Sequence, residues 1–131
     1  MKAVYVDSSI VVSLLFGEID KRLISKKLGS YDEVLSSNLI FAEVLSASRR
    51  EKIDQNLALN ILNNISIYSP SDDLKDELER IFSMLYIRGA DAYHLAAALR
   101  LDPTCAELDF LTGDKNQQSA ARAIGFKTPL I

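Results

Sequence analysis

Cysteine is nearly absent from this chain. Cys105 is the only one, so no disulfide can form within the chain and no cysteine-rich zinc site can be built. That usage fits a reducing cytoplasm, which is the expected location. Histidine is as scarce: His94 stands alone, which excludes metal-free hydrolysis by a pair of histidines acting as acid and base. Long apolar runs are missing too. The stretch from Ile10 to Phe16 holds seven residues with Ser13 among them, far below the ~20 that cross a bilayer. Asp7, Ser8 and Ser9 also interrupt what could otherwise be a signal core behind Lys2, so no membrane partner is expected. There is no repeat, no low-complexity tract and no Pro/Gly-rich linker. The 131 residues therefore read as a single domain, 1–131, large enough to bury a core without crosslinks. A basic excess is lacking as well. The net charge of −3 argues against gripping nucleic acid by charge alone, but it is no obstacle if some of the acids hold a divalent metal.

Short apolar runs alternate with helical patterns. Ala3 to Val6 reads as a buried parallel strand. Ser8 is expected to cap a helix through Leu14 and Leu15, and a second helix, about Ile19 to Leu28, to stop at Gly29. Val34 and Leu35 form a short strand. Ser37 caps a helix to about Arg50, and Asp54 caps one through Leu62. Ile65 to Tyr68 is a third strand. Ser71 opens a helix to about Tyr86, with Asp72 and Asp73 in its first turn. Ala90 to Arg100 is a helix rich in small residues, Leu108 to Leu111 a fourth strand, and Lys115 to Ala123 a last helix. The tail from Lys127 is expected as a fifth strand. Strands separated by helices imply an α/β fold, a three-layer α/β/α sandwich around a mostly parallel sheet. Function in such folds lies at the carboxyl ends of the strands, near the point where strand order reverses.

Four acids fall where that rule directs attention. Asp7 follows the first strand among apolar neighbours, where an unpaired carboxylate would be costly. Capping the next helix is its bland alternative. Asp114 follows the fourth strand. Glu43 has Leu39, Ile40 and Ala47 as one-turn neighbours and so lies within an apolar stripe; the alternative is an edge residue reaching water. Asp91 lies over His94, Leu95 and Ala98, or else serves only as a first-turn acid. Carboxylates can share one pocket only if cations neutralise them. Oxygen ligands favour Mg²⁺ or Mn²⁺, and such ions activate water in phosphodiester cleavage.

The chain resembles the PIN-domain family, specifically its VapC-type toxins. The resemblance rests on Val4-Tyr5-Val6-Asp7-Ser8-Ser9, Ala42-Glu43-Val44, the run Ala90-Asp91-Ala92-Tyr93-His94-Leu95-Ala96-Ala97-Ala98, and Leu111-Thr112-Gly113-Asp114, and it covers nearly the whole chain. It implies Mg²⁺- or Mn²⁺-dependent endoribonuclease activity. Asp7, Glu43, Asp91 and Asp114 take the acidic positions, and Ser8 or Ser9 and Thr112 stand where the family places hydroxyls. It further implies an RNA substrate, a homodimer and a neutralising antitoxin from a toxin–antitoxin pair. Asp109 and Asn116 are the other candidates near the fourth acid; Asp114 is preferred because Asp109 would lie within the strand.

His94, one turn from Asp91, is expected to pack beside Tyr93 and Leu95, the alternative being a role in orienting substrate or a ligand. Lys21, Arg22, Lys26 and Lys27, and Arg49, Arg50 and Lys52, form basic clusters that read as solvated helix faces. Two rival readings remain. A phosphoryl-transfer enzyme with Asp7 as nucleophile would want a second acid two residues on, where Ser9 stands. The other is a binding module that keeps the fold and has lost catalysis, against which the presence of all four acids counts.

Overall fold

The computed structural model describes residues 2–130. Four strands, β1 (Ala3–Val6), β2 (Glu33–Ser37), β3 (Ser66–Tyr68) and β4 (Leu108–Leu111), form one sheet in the order β3-β2-β1-β4. Every pairing is parallel, with Tyr5 opposite Leu35 on one side and Phe110 on the other. The helices are α1 (Ser8–Phe16), α2 (Lys21–Gly29), α3 (Leu39–Arg50), α4 (Gln55–Leu62), α5 (Lys75–Met84), α6 (Gly89–Leu101) and α7 (Lys115–Ile124).

The side-chain alternation of a strand explains the layering. Ala3, Tyr5, Leu108 and Phe110 point to one face and pack with α5, α6 and α7. Val4, Val6 and Leu111 point to the other and pack with Ile10 of α1 and Ile24 of α2. With apolar side chains on both faces the sheet must be covered twice, giving the expected α/β/α sandwich. The Tyr5 and Phe110 rings stack at 5.3 Å in the first layer. Ala92, Ala96, Ala97 and Ala98 are buried, because small residues let α6 lie close to the strands. Among the described residues no helix is long and apolar enough to cross a membrane.

Several expected boundaries move, each for a local reason. Asp7 rather than Ser8 caps α1: its backbone is extended and its carboxylate accepts from the N–H of Ser9, whereas Ser8 is already helical. Asp20 caps α2, which starts at Lys21 instead of Ile19 and includes Gly29. Ser37 is no cap but the last residue of β2, and α3 begins two residues later. Asp72 and Asp73 lie ahead of α5, not within it. Their carboxylates accept from the N–H groups of Leu74 and Lys75 at 3.0 and 3.1 Å, and this turn chemistry competes with a helix start. Leu74, at φ +56°, makes the corner. Among the described residues the tail from Lys127 forms no fifth strand; a bond from Phe110 N–H to the Lys127 carbonyl (2.9 Å) ties it to β4. Thr128 is taken up by Arg122, and Pro129 has no N–H to extend a ladder. Cys105 is buried and burial pushes its thiol up, which leaves it as packing.

The chain runs outward from β1 through β2 to β3, then returns to place β4 on the free side of β1. Strand order therefore reverses between β1 and β4, and Asp7 and Asp114 follow these two strands.

Candidate active site

Asp7 is 3% exposed and held from two sides. Its Oδ1 accepts from the Ser9 N–H at 3.1 Å and the Ser9 hydroxyl at 2.5 Å. Its Oδ2 accepts from the Thr112 hydroxyl at 2.5 Å. The hydroxyls are aimed by the β4–α7 turn: the Gly113 N–H donates to Ser9 Oγ at 2.8 Å and the Asp114 N–H to Thr112 Oγ1 at 3.1 Å. A hydroxyl that accepts a backbone N–H has its own proton free for the carboxylate. Burial pushes the Asp7 carboxyl above the ordinary range; the Ser9 and Thr112 hydrogen bonds and His94 oppose this, and the charge of Asp91 adds to it. The sensitivity to both His94 and Asp91 places all three groups in one electrostatic neighbourhood.

Asp114 caps α7, with Oδ1 accepting from the N–H groups of Asn116 and Gln117 at 2.8 and 3.1 Å. Asp91 lies in the first turn of α6. The two acids share one cation: Arg88 Nε stands 3.3 Å from Asp91 Oδ2 and Arg88 Nη2 stands 3.7 Å from Asp114 Oδ2. Gln117 fixes their relation by donating from Nε2 to the Asp91 carbonyl at 3.0 Å, which ties α7 to α6.

Glu43 is neither unpaired in the core nor free in water. Its Oε1 lies 2.5 Å from His94 Nε2, and His94 Nδ1 lies 2.7 Å from the Tyr5 hydroxyl, which also accepts the Ser37 N–H at 3.1 Å. An ionised carboxylate only accepts, so Nε2 carries the proton of that bond; a protonated ring also donates from Nδ1, and a neutral ring accepts there the phenol proton of Tyr5. Burial pushes the Tyr5 phenol up, which keeps that proton in place.

The structure thus brings Asp7, Asp91 and Asp114 to the β1/β4 edge and attaches Glu43 through His94. The carboxylates surround this edge rather than closing on one point. Among the described residues, no three His, Cys, Asp or Glu side chains stand ready to hold an ion as they are. Ser9 and Thr112 contact Asp7, while Ser8 is the half-buried first residue of α1. Asp109 lies inside β4, as expected, and its carboxylate is taken by the Tyr31 hydroxyl at 2.6 Å. Asn116 borders a cavity of about 540 Å³ beside Asp91.

Arg88, Gln117 and the pairing of His94 with Glu43 go beyond the sequence reading, which expected His94 to pack and held an orienting role only as the alternative. The spacing of three between Arg88 and Asp91 and between Asp91 and His94 is the available signal, since both pairs are one-turn neighbours. Nothing in the sequence marks Gln117, whose partner is a backbone carbonyl on another helix.

Residues 4–123 match the PIN domain family. No curated protein matches the chain at a significant level. Among solved structures, VapBC2 from Rickettsia felis bound to a DNA fragment from its promoter has a similar fold, with TM-score 0.73 and 13% identity over 97% of each chain. A toxin–antitoxin complex from Klebsiella pneumoniae is similar with TM-score 0.67 and 16% identity, covering 97% of this chain and 96% of that one.

Proposed function

Because the chain belongs to the PIN-domain family, we propose that it is a divalent-metal-dependent endoribonuclease, a single nuclease domain over residues 1–131. The observation that carries this reading is the arrangement of Asp7, Asp91 and Asp114 at the reversal of strand order, with the guanidinium of Arg88 spanning two of them. Such an edge is where open parallel sheets hold ligands, and its excess of carboxylates, only partly offset by Arg88, favours a cation.

The donor set suits a hard ion. All candidate donors are carboxylate oxygens, which favour Mg²⁺ or Mn²⁺. Asp7 uses three hydrogen bonds of the roughly four a carboxylate accepts, so one lone-pair position on Oδ2 remains. Asp91 and Asp114 are partly exposed, at 17% and 32%. Asp7, Asp91 and Asp114 would hold the ion directly, and Glu43 would complete the acid set. A bound divalent ion supplies Lewis acidity that activates water and steadies the leaving oxygen of a phosphodiester. The chain's own contribution is to aim the acids: Ser9 and Thr112 hold Asp7, Gln117 holds the helix carrying Asp91, and His94 holds Glu43.

The partner assignment rests on the VapC-type sequence motifs and on the toxin–antitoxin complexes that share the fold. In this reading the chain is the toxin of a type II pair, acts on RNA in the cytoplasm, forms a homodimer and is neutralised by a cognate antitoxin. An aspartyl-nucleophile reading suits the chain poorly, because the position two residues after Asp7, where such enzymes want a second acid, holds Ser9, whose hydroxyl is bound to Asp7. A catalytically inert PIN-fold binding module is the alternative.

The test is incubation of a mixed cellular RNA pool with the protein in Mg²⁺ or Mn²⁺, beside a chelator control and Asp91→Asn. Cutting that requires metal and is lost in the variant supports the reading. Cutting that survives both rejects it, and a folded protein whose melting temperature ignores Mn²⁺ points to the inert module.

A further inference from the structure

Arg88 occupies the residue just before α6; its Nε–H donates to Asp91 at 3.3 Å, and its Nη2 forms an ion pair with Asp114 at 3.7 Å without a hydrogen bond. Arginine clamps elsewhere in this molecule look different. Arg100 offers paired donors to Asp72 at 2.9 and 3.1 Å and to Glu77 at 3.0 and 2.8 Å. The Arg88 contacts are longer and single, and its side chain is 76% exposed. Exposed ion pairs of this kind are weak, so Arg88 can leave these partners readily. A guanidinium has five N–H donors, and those not engaged here face solvent. Arg88 also borders the cavity of about 540 Å³ that runs past Tyr86, Asp91, Asn116 and Ser119, which gives the freed side chain and a ligand room on the same side of Asp91.

We propose that Arg88 is a phosphate-binding residue of this site, acting in the metal-free protein as the internal counter-cation of Asp91 and Asp114. A divalent ion and the guanidinium compete for the same carboxylate oxygens, Asp91 Oδ2 and Asp114 Oδ2, and their like charges disfavour holding both at once. When the ion holds the acids, the guanidinium is released beside the bound nucleic acid, and its planar fork matches two phosphate oxygens. A cation thereby stands beside Asp91 and Asp114 in both states, Arg88 offsetting part of their charge first and the divalent ion afterwards. The proposal rests on the metal-nuclease reading above.

It demands effects of opposite sign from one substitution. Mn²⁺ binding is measured by calorimetric titration of the wild type, Arg88→Gln and Arg88→Lys. Binding of a short fluorescein-labelled single-stranded RNA is followed by anisotropy, with Ca²⁺ replacing Mg²⁺ to slow cleavage. Removing one competing charge should tighten Mn²⁺ about three- to tenfold in Arg88→Gln. The same variant should bind RNA more weakly, with a salt slope shallower by about one phosphate contact. Arg88→Lys should keep much of the RNA affinity. Unchanged or weaker Mn²⁺ binding in a normally melting Arg88→Gln protein overturns the counter-cation role, and unchanged RNA affinity overturns the phosphate role. A wild type that binds no Mn²⁺ at all defeats the metal-nuclease reading, and this inference with it.

Discussion

The carboxylate of Glu43 and the imidazole of His94 meet at 2.5 Å across the space between α3 and α6. The ring is held from its far side by Tyr5, a residue of the central strand. A flexible acid on one helix is thereby fixed relative to the sheet edge where Asp7 lies. Without that link, Glu43 would be free to choose any rotamer that reaches water.

His94→Ala should therefore act on Glu43 as well as on the core. It removes the donor that orients the carboxylate and leaves the buried Tyr5 hydroxyl without an acceptor. Loss of a residue that orients a metal ligand typically costs about 10- to 100-fold in metal affinity or activity, and a similar fall in Mn²⁺ affinity is expected. Denaturant unfolding should show a loss of about 2–4 kcal/mol from the cavity and the orphaned hydroxyl. Unaltered Mn²⁺ affinity would reduce the pair to a packing feature.

Asp7→Asn should abolish cleavage yet leave the protein at least as stable near pH 7 without metal. The folded-state pKa of Asp7 is raised, chiefly by burial. Its stabilising contribution is therefore present below the unfolded carboxylate pKa and is lost as pH rises through the folded value. Charging the buried carboxyl costs stability that the amide avoids, so the variant should gain on the wild type as pH rises and lose that advantage as pH is lowered. Melting curves across pH in chelator decide the matter. A sharp drop in melting temperature for the variant at pH 7 would contradict a metal-site role.

The fourth acid can be identified by comparing Asp114→Asn with Asp109→Asn. Asparagine caps a helix about as well as aspartate, so Asp114→Asn should preserve α7 while cutting Mn²⁺ affinity and RNA cleavage by tenfold or more, on the order of one lost charged ligand. Asp109→Asn disturbs only its bond to Tyr31 and should leave cleavage unchanged, with about 1 kcal/mol of stability lost. The reverse pattern would move the site.

Arg100→Met should make the fold less stable at neutral pH and flatten its response to acid. Hydrogen bonds from Arg100 hold the Asp72 and Glu77 carboxyls below the ordinary carboxylate range. Their contribution is present above the unfolded pKa and is lost as pH falls through the lowered values. The wild type should thus lose urea resistance as pH drops below about 4, and the variant should show less of that loss. Equal acid sensitivity in the two proteins would remove this pair from the stability of the α5–α6 corner.

Much of this organisation was legible along the chain. Ala3 to Val6 and Leu108 to Leu111 are apolar runs too short for helices, and β1 and β4 fall on those residues. Asp54 precedes a helical pattern and caps α4. Less legible were the places where a residue had two local uses. Ser37 and Ser71 resemble caps, but Ser37 completes β2, and Asp72 and Asp73 form the turn ahead of α5. His94 reads as packing because helical spacing reports its neighbours on α6 and not Glu43 on α3.

The division follows the range of the forces involved. Periodicity and capping act within a few residues, so the sequence alone determined the alternation of elements, the parallel α/β class and the acids at strand ends and on apolar helix faces. What those acids meet depends on contacts between residues far apart in the chain. Thr112 reaches Asp7, His94 reaches Glu43, Gln117 holds the Asp91 carbonyl and Arg88 spans to Asp114. Sheet register and helix packing make these pairings, because they alone bring groups so distant in the chain within the ~3 Å of a hydrogen bond or, for Arg88 and Asp114, the 3.7 Å of an ion pair.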